Sequence, residues 1–214
     1  SSGQGIVIIN STFRSVFNNV LFTHLTVLPD QESRFTSPVV LYQSPVTFTQ
    51  SEFSNIDAED ALNIIRSDFL IQNVIFNDVA SDAFDSDFSN GKITDTIFTN
   101  IGNDAIDVSG SNIELSNVEM SHIGDKGFSV GEASIALVDQ LTIDNAAIGV
   151  AVKDGSTLNA ESIEVHNSEV DVAVFKKKTE YGNAYAVINN TNIRTYLLEL
   201  GSRLIINGRE RGVN

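Results

Sequence analysis

Apolar positions along this chain recur on two periods at once. Within short segments they alternate with polar or small residues, as in Ile106-Asp107-Val108, Phe128-Ser129-Val130 and Val150-Ala151-Val152. Alternation of period two places successive side chains on opposite faces of a strand and buries one of them. The longer period is 22 residues. Asp60, Asp82 and Asp104 are each followed by Ala, and the small-residue column Ala61, Ala83, Ala105 continues to Gly127 and Gly149. The next position reads Leu62, Phe84, Ile106, Phe128, Val150 and Val172.

A second register lies inside each repeat. Asn73, Asp95, Asn117 and Asp139 fall 22 apart and continue to Glu161 and Asn183. Ile71, Ile93, Leu115 and Leu137 precede them, Phe76, Phe98 and Met120 follow, and Val79, Ile101 and Ile123 form a third set. Each repeat therefore holds about three short strands joined by turns, and stacking the repeats in parallel buries the apolar columns at a rise of ~4.8 Å. The predicted fold is all-β, a single-stranded right-handed parallel β-helix of roughly nine rungs of about 22 residues, ~40 Å long. Leu62, Phe84, Ile106, Phe128 and Val150 form one buried stack in this register, and Asn73, Asp95, Asn117 and Asp139 a turn ladder. Leucine-rich and ankyrin repeats differ in period or pattern, and no segment carries a long 3.6-residue period.

Residues 1–214 read as one domain whose register weakens at both ends. Ile6–Phe13, Val20–Val27 and Val46–Phe53 resemble rungs, and Leu28–Leu41, which holds Pro29 and Pro38, is expected to loop out. Ile188–Asn207 is expected to form two closing rungs. The chain enters a strand at Gly5–Ile9 with no capping helix ahead of it. An uncapped edge strand invites pairing, so the expectation is a fragment of a longer chain, or a first rung packed on a neighbour.

Charge narrows the partners. Lys and Arg number 13 against 28 Asp and Glu, a formal net charge of −15, while 42% hydrophobic residues suffice for a core. A phosphate backbone would be repelled, which argues against nucleic acid. No apolar run reaches the roughly 18 residues of a membrane span. The absence of Cys excludes disulfides, thiolate nucleophiles and Cys-zinc sites. His24, His122 and His166 are isolated and read as surface or turn residues, and Lys176-Lys177-Lys178 reads as a solvated loop at a rung edge.

Candidate chemistry gathers on the small-residue strand. Asp82, Asp104 and Lys126 share one column, and Asp85 and Asp107 share another that points outward. Asp85 and Asp107 are expected ~5 Å apart on adjacent rungs. Two charges at that distance repel by ~3 kcal/mol at an effective dielectric of 20. A raised carboxylate pKa, a bound cation or splaying into solvent would relieve this. Calcium is the natural cation for an all-oxygen site, with Asp82, Asp85, Asp104 and Asp107 as its candidate ligands and Asp87 nearby.

These four rungs resemble those of polygalacturonases, in the pectin-lyase-like superfamily of right-handed β-helices. The residues that carry the likeness are Ser81-Asp82-Ala83-Phe84-Asp85, Gly102-Asn103-Asp104-Ala105, Gly124-Asp125-Lys126-Gly127-Phe128-Ser129-Val130-Gly131 and Ala151-Val152-Lys153. The resemblance maps Asp82, Asp104 and Lys153 onto catalytic positions of that family. Asn103, Lys126 and Ala151 stand where it keeps its acid-donating aspartate, histidine and arginine. Hydrolysis needs a carboxylic acid to protonate the leaving oxygen, a role that Asn103 cannot take and that Asp125 or Asp107 would have to fill. A pectate-lyase-like reading would use calcium on the outward aspartates and Lys126 or Lys153 as base. The Gly-Asp-Lys-Gly and Val-Lys-Asp-Gly rungs are also similar to β-helix regions of bacterial surface proteins that accompany CotH-type kinase domains.

Three readings stay open. One is a non-catalytic acidic module of a bacterial surface or secreted protein, hence extracellular, acting as scaffold or as a surface for an acidic or neutral polysaccharide or a neighbouring domain. Another is a polysaccharide lyase or hydrolase with its site at Asp82, Asp104, Lys126 and Lys153. The third is a cation-stabilised adhesive module. The preferred expectation is the first, because the hydrolase's acid, His and Arg are missing and the chain has no Trp and four Tyr for ring stacking on sugars.

Overall fold

The computed structural model describes residues 5–27 and 35–213, and every regular element among them is a β-strand. The chain visits three faces in turn. The first holds Ile6–Ile9, Val39–Tyr42, Asp60–Ile65, Asp82–Asp87 and Ile106–Ser109, the last parts of Asn112–Gly131 and Ile135–Lys153, then Val170–Phe175 and Tyr196–Leu198. The second runs from Ser15–Asn18 through Val46–Thr49, Asp68–Gln72 and the starts of the long strands to Tyr185–Ile188 and Arg203–Ile206. The third includes Leu21–Thr23, Glu52–Ile56 and Ile75–Val79. All neighbours on a face pair in parallel, which makes a solenoid of about eight full turns with a ninth begun.

The core columns follow the predicted register. Phe84 pairs with Leu62 and Ile106, Ile106 with Phe128 and Phe128 with Val150, and all five are fully buried. On the third face Phe22, Phe53, Phe76 and Phe98 stack ring on ring with centroids 4.5, 4.8 and 4.7 Å apart. The spacing of these rings is that of the rungs, so the backbone ladder and the aromatic stack reinforce each other.

Corners are built from residues in the left-handed region. Asn73, Asp95 and Asn117 have φ of 53°, 51° and 54°, and the Asn117 side-chain amide donates to Asp95 Oδ1 at 2.7 Å. Asn and Asp tolerate this conformation better than other non-glycine residues. A second such column, Asn55, Asp78, Asn100, His122 and Asn145, closes the third face and puts His122 in a turn.

The predicted ladder does not extend to Asp139. One extra residue at the Glu132–Ser134 corner shifts the register, so that Leu115 pairs with Val138 and Val118 with Leu141. Asp139 instead accepts from Ser116 Oγ at 3.1 Å, and Leu137, expected in the core, is 47% exposed while Val138 is buried. The insertion around Lys176–Asn183 displaces Asn183 from Glu161 in the same way, because Ala160 pairs with Ile188.

A buried serine ladder lines the corner between the first and second faces. Ser44, Ser67, Ser89, Ser111 and Ser134 each donate a backbone N–H to the Oγ of the serine one rung on, at 2.8–3.2 Å, ending on Ser156. The hydroxyls satisfy these buried corner amides, and the Ser134 N–H also reaches Gly131 O at 3.2 Å.

The ends differ from expectation. Leu28–Arg34 lies outside the described residues, but Val39–Tyr42, placed in the same predicted loop, is a strand with Val40 and Leu41 buried. Residues 188–207 make about one turn rather than two rungs, since they cross the third, first and second faces once each.

Candidate functional site

The small-residue strands carry their carboxylates where predicted, and the hydrogen bonds define what each one does. Asp82 Oδ1 accepts the backbone N–H of Asp104 at 2.9 Å and the Asn103 amide at 2.6 Å. Asp104 Oδ1 accepts the backbone N–H of Lys126 at 3.0 Å, and Lys126 Nζ lies 3.3 Å from the same oxygen. Asp60 heads this column, in register with Asp82, and accepts from Ser37 Oγ at 2.7 Å. Asp171 repeats the motif near the far end, accepting the backbone N–H groups of Arg194 and Thr195. Each of these carboxylates holds the strand entry of a neighbouring rung or the loop beside it.

Lys126 is held in place by anions on two sides, Asp104 and Asp125. Burial alone would lower its pKa, but the bond to Asp125 and the charges of Asp104 and Asp125 outweigh this and raise it. An ammonium stabilised in that way is a poor proton acceptor near neutral pH.

Asp85 pairs with Asn63 on one side and Asp107 on the other. The Asn63 amide donates to Asp85 Oδ2 at 3.2 Å. Burial, then the charges of Asp87, Asp60, Asp107 and Asp82, push the Asp85 carboxyl up to about 9. Burial likewise lifts Asp60 and Asp104 to about 6, in Asp104 against the attraction of Lys126. Burial first, and repulsion among these carboxylates second, thus favour the protonated form of Asp85. Lys153 comes from another column. Its buried side chain crosses Gly131, where a Cβ would lie 2.6 Å from Lys153 Cε, and ends 3.6 Å from Asp107 Oδ1.

The four aspartates do not fit a calcium cage. Among the described residues no group of three or more His, Asp or Glu side chains is placed to hold a metal ion. Asp82 and Asp104 direct oxygens at backbone amides, and Lys153 stands beside Asp107. Of the four candidate catalytic residues, hydrogen bonds join Asp82, Asp104 and Lys126 in one column, and Lys153 pairs with Asp107.

The Lys176–Lys178 segment is anchored, since Asp154 Oδ1 accepts the backbone N–H groups of Lys177 and Lys178 at 2.6 Å each. Lys178 Nζ pairs with Glu132. His166 ends a strand and is exposed.

The second face holds what the sequence reading passed over. Asn90 donates to Asp68 at 3.2 Å and Asn112 to Asn90 at 2.8 Å, an outward amide ladder. Beside it runs the column Lys92, Glu114, Leu137, Asn159 and Val187, with Lys92 paired to Glu114 at 3.6 Å. Two concave regions of about 580 and 450 Å³ meet over Lys92, Glu114 and Leu137. Together they form one open groove parallel to the solenoid axis, from Asp68 to Asn189, ~24 Å long at the rung rise. The 22-residue spacing of Asp68, Asn90 and Asn112 was the available signal.

Residues 37–195 match the family model described as a right handed beta helix region. No curated protein matches the chain. Among solved structures it is similar to WceF of Pantoea stewartii, described as a glycan biofilm modifying enzyme with a bacteriophage tailspike-like parallel β-helix fold. The TM-score is 0.62 at 12% identity, and the match covers 98% of this chain but 36% of that one.

Proposed function

The chain belongs to the right-handed β-helix family, and we propose that it is a non-catalytic, glycan-binding module of a secreted or cell-surface protein. The observation that carries this reading is the second-face groove, whose length spans several rungs and suits an extended polymer. Its floor offers amides and carboxylates to sugar hydroxyls, and half-exposed Leu137 offers an apolar surface to a ring face. The similar Pantoea protein, whose description names glycan as what it modifies, makes glycans the first class to test.

Charge selects among glycans. Asp68, Glu114, Asp139 and Glu161 line the groove against Lys92, and the chain as a whole carries −15. Polyuronates would be repelled, so the ligand is a neutral polysaccharide. The first-face carboxylates support a structural role over a catalytic one. Asp82 and Asp104 are engaged with backbone, Lys126 stays charged, and Asn103 stands in place of an acid.

Affinity electrophoresis through gels containing neutral or uronate polysaccharides tests the reading. Retardation is expected in a neutral gel and not in polygalacturonate. Asn112→Ala/Asn159→Ala removes two amide donors, each worth ~0.5–1.5 kcal/mol, and should weaken retention ~5-fold or more. Retention unchanged by the pair, or none across a panel of neutral polysaccharides, would overturn the groove.

A further inference from the structure

The corner between the first and second faces turns on one left-handed residue per rung. Gln43, Arg66, Phe88 and Gly110 hold this position on successive rungs, with φ of 48°, 50°, 50° and 60°. Glycine suits it, whereas a bulky aromatic there is a conformational outlier. Phe88 gains no core burial in exchange, since it is 55% exposed while Phe84 and Phe98 are fully buried. A Cβ on Gly110 would lie 2.6 Å from Phe88 Cδ1, so the ring has its place only because the next rung carries glycine. On the preceding rung the Arg66 guanidinium carbon lies 5.6 Å from the ring centroid. Arg66 is itself little used. Its Nη1 donates to Tyr42 Oη at 3.4 Å, and no carboxylate among the described residues ion-pairs with it. Phe88, Arg66, Pro45, Asp68 and Asn90 wall a concavity of about 310 Å³. Asp68 and Asn90 also line the second-face groove, so the two spaces adjoin.

We propose that this corner is an end subsite of the groove, where one sugar ring of a neutral glycan packs on Phe88 while Arg66 and Asp68 bind its hydroxyls. The assignment rests on the groove being the glycan site. An exposed aromatic offers the apolar surface that the C–H face of a sugar ring needs, and nothing else along the groove supplies a ring. Arg66 has donors to spare and the Asp68 carboxylate accepts, a pair that fits neighbouring hydroxyls of one sugar. Their opposite charges keep the corner suited to a neutral ring. A bulky residue kept in a sparsely populated conformation, exposed and beside an unpaired cation, is the kind of local strain that collects at ligand sites.

Affinity electrophoresis in the neutral gels, joined to urea unfolding, tests the subsite. Phe88→Asn removes the ring and seats a residue that tolerates the left-handed turn, so its urea midpoint should equal or exceed that of the wild type. It should weaken retention ~3–10-fold, and Phe88→Tyr should keep wild-type retention. The chain has no Trp, so Phe88→Trp installs a single reporter at the corner. Its emission should shift on titration with a hexasaccharide cut from the retaining polymer. Equal retention of wild type and Phe88→Asn, with Asn112→Ala/Asn159→Ala still weakened, would overturn the subsite and leave the groove standing. No retention of the wild type by any neutral polysaccharide would overturn both. A lowered urea midpoint for Phe88→Asn would make the ring a structural element, and an unresponsive Trp would place the sugar elsewhere; either result overturns the proposal.

Discussion

Replacing Phe84 by Ala is expected to lower unfolding stability by about 3–5 kcal/mol. Phe84 is fully buried between Leu62 and Ile106, and its ring meets Phe69 edge-on with centroids 5.2 Å apart. A solenoid rung contacts only its neighbours, so few groups are placed to fill the space. The cavity weakens both interfaces of that rung at once. Phe13 is the control, because it is 84% exposed and its replacement should change stability by ~0.5 kcal/mol or less. Urea unfolding of both variants decides the point, and a loss under ~1 kcal/mol for Phe84→Ala would contradict the packing described.

The second large effect is a fall in stability as pH rises. Asp60, Asp104 and Asp85 have folded-state pKa values of about 6, 6 and 9, all above the 3.8 of an unperturbed carboxyl. Between 3.8 and those values the folded chain holds protons that the unfolded chain has released. Stability from these groups is therefore fully present below pH 3.8 and is lost as pH rises through 6 and then 9. Asp85 dominates the upper window, and from pH 5 to 8 it should cost on the order of 2–4 kcal/mol. Asp85→Asn keeps the shape, removes the ionisation and should flatten that limb, leaving the variant more stable than wild type at pH 8. Thermal melts from pH 5 to 9 measure this. A wild-type midpoint that rises with pH, or the same slope in the variant, would contradict the buried proton.

The columns from Leu62 to Val150 and from Asp85 to Asp107 were legible because the 22-residue period there has no interruption. Asp139 and Leu137 were misplaced by a single inserted residue at Glu132–Ser134, which changes which face a strand residue occupies without changing its composition. The functional meaning of Asp82 and Asp104 was not legible either. Sequence shows two carboxylates one rung apart. Only the fold shows that each accepts the next rung's N–H rather than facing a substrate. The groove escaped notice because its residues are ordinary surface types whose 22-residue recurrence looks like that of any other outward column.

The claim that this module binds glycan without cleaving it is tested most directly by following chain scission under conditions where binding is measured. A neutral polysaccharide that retards the protein, and polygalacturonate alongside it, would be incubated with the chain while reducing ends and unsaturated uronate products are counted. The account predicts retention by the neutral polymer and no rise in either product above a protein-free control. Turnover that disappears on Asp104→Asn, in a variant that remains folded, would contradict it and move the active chemistry back to the first face.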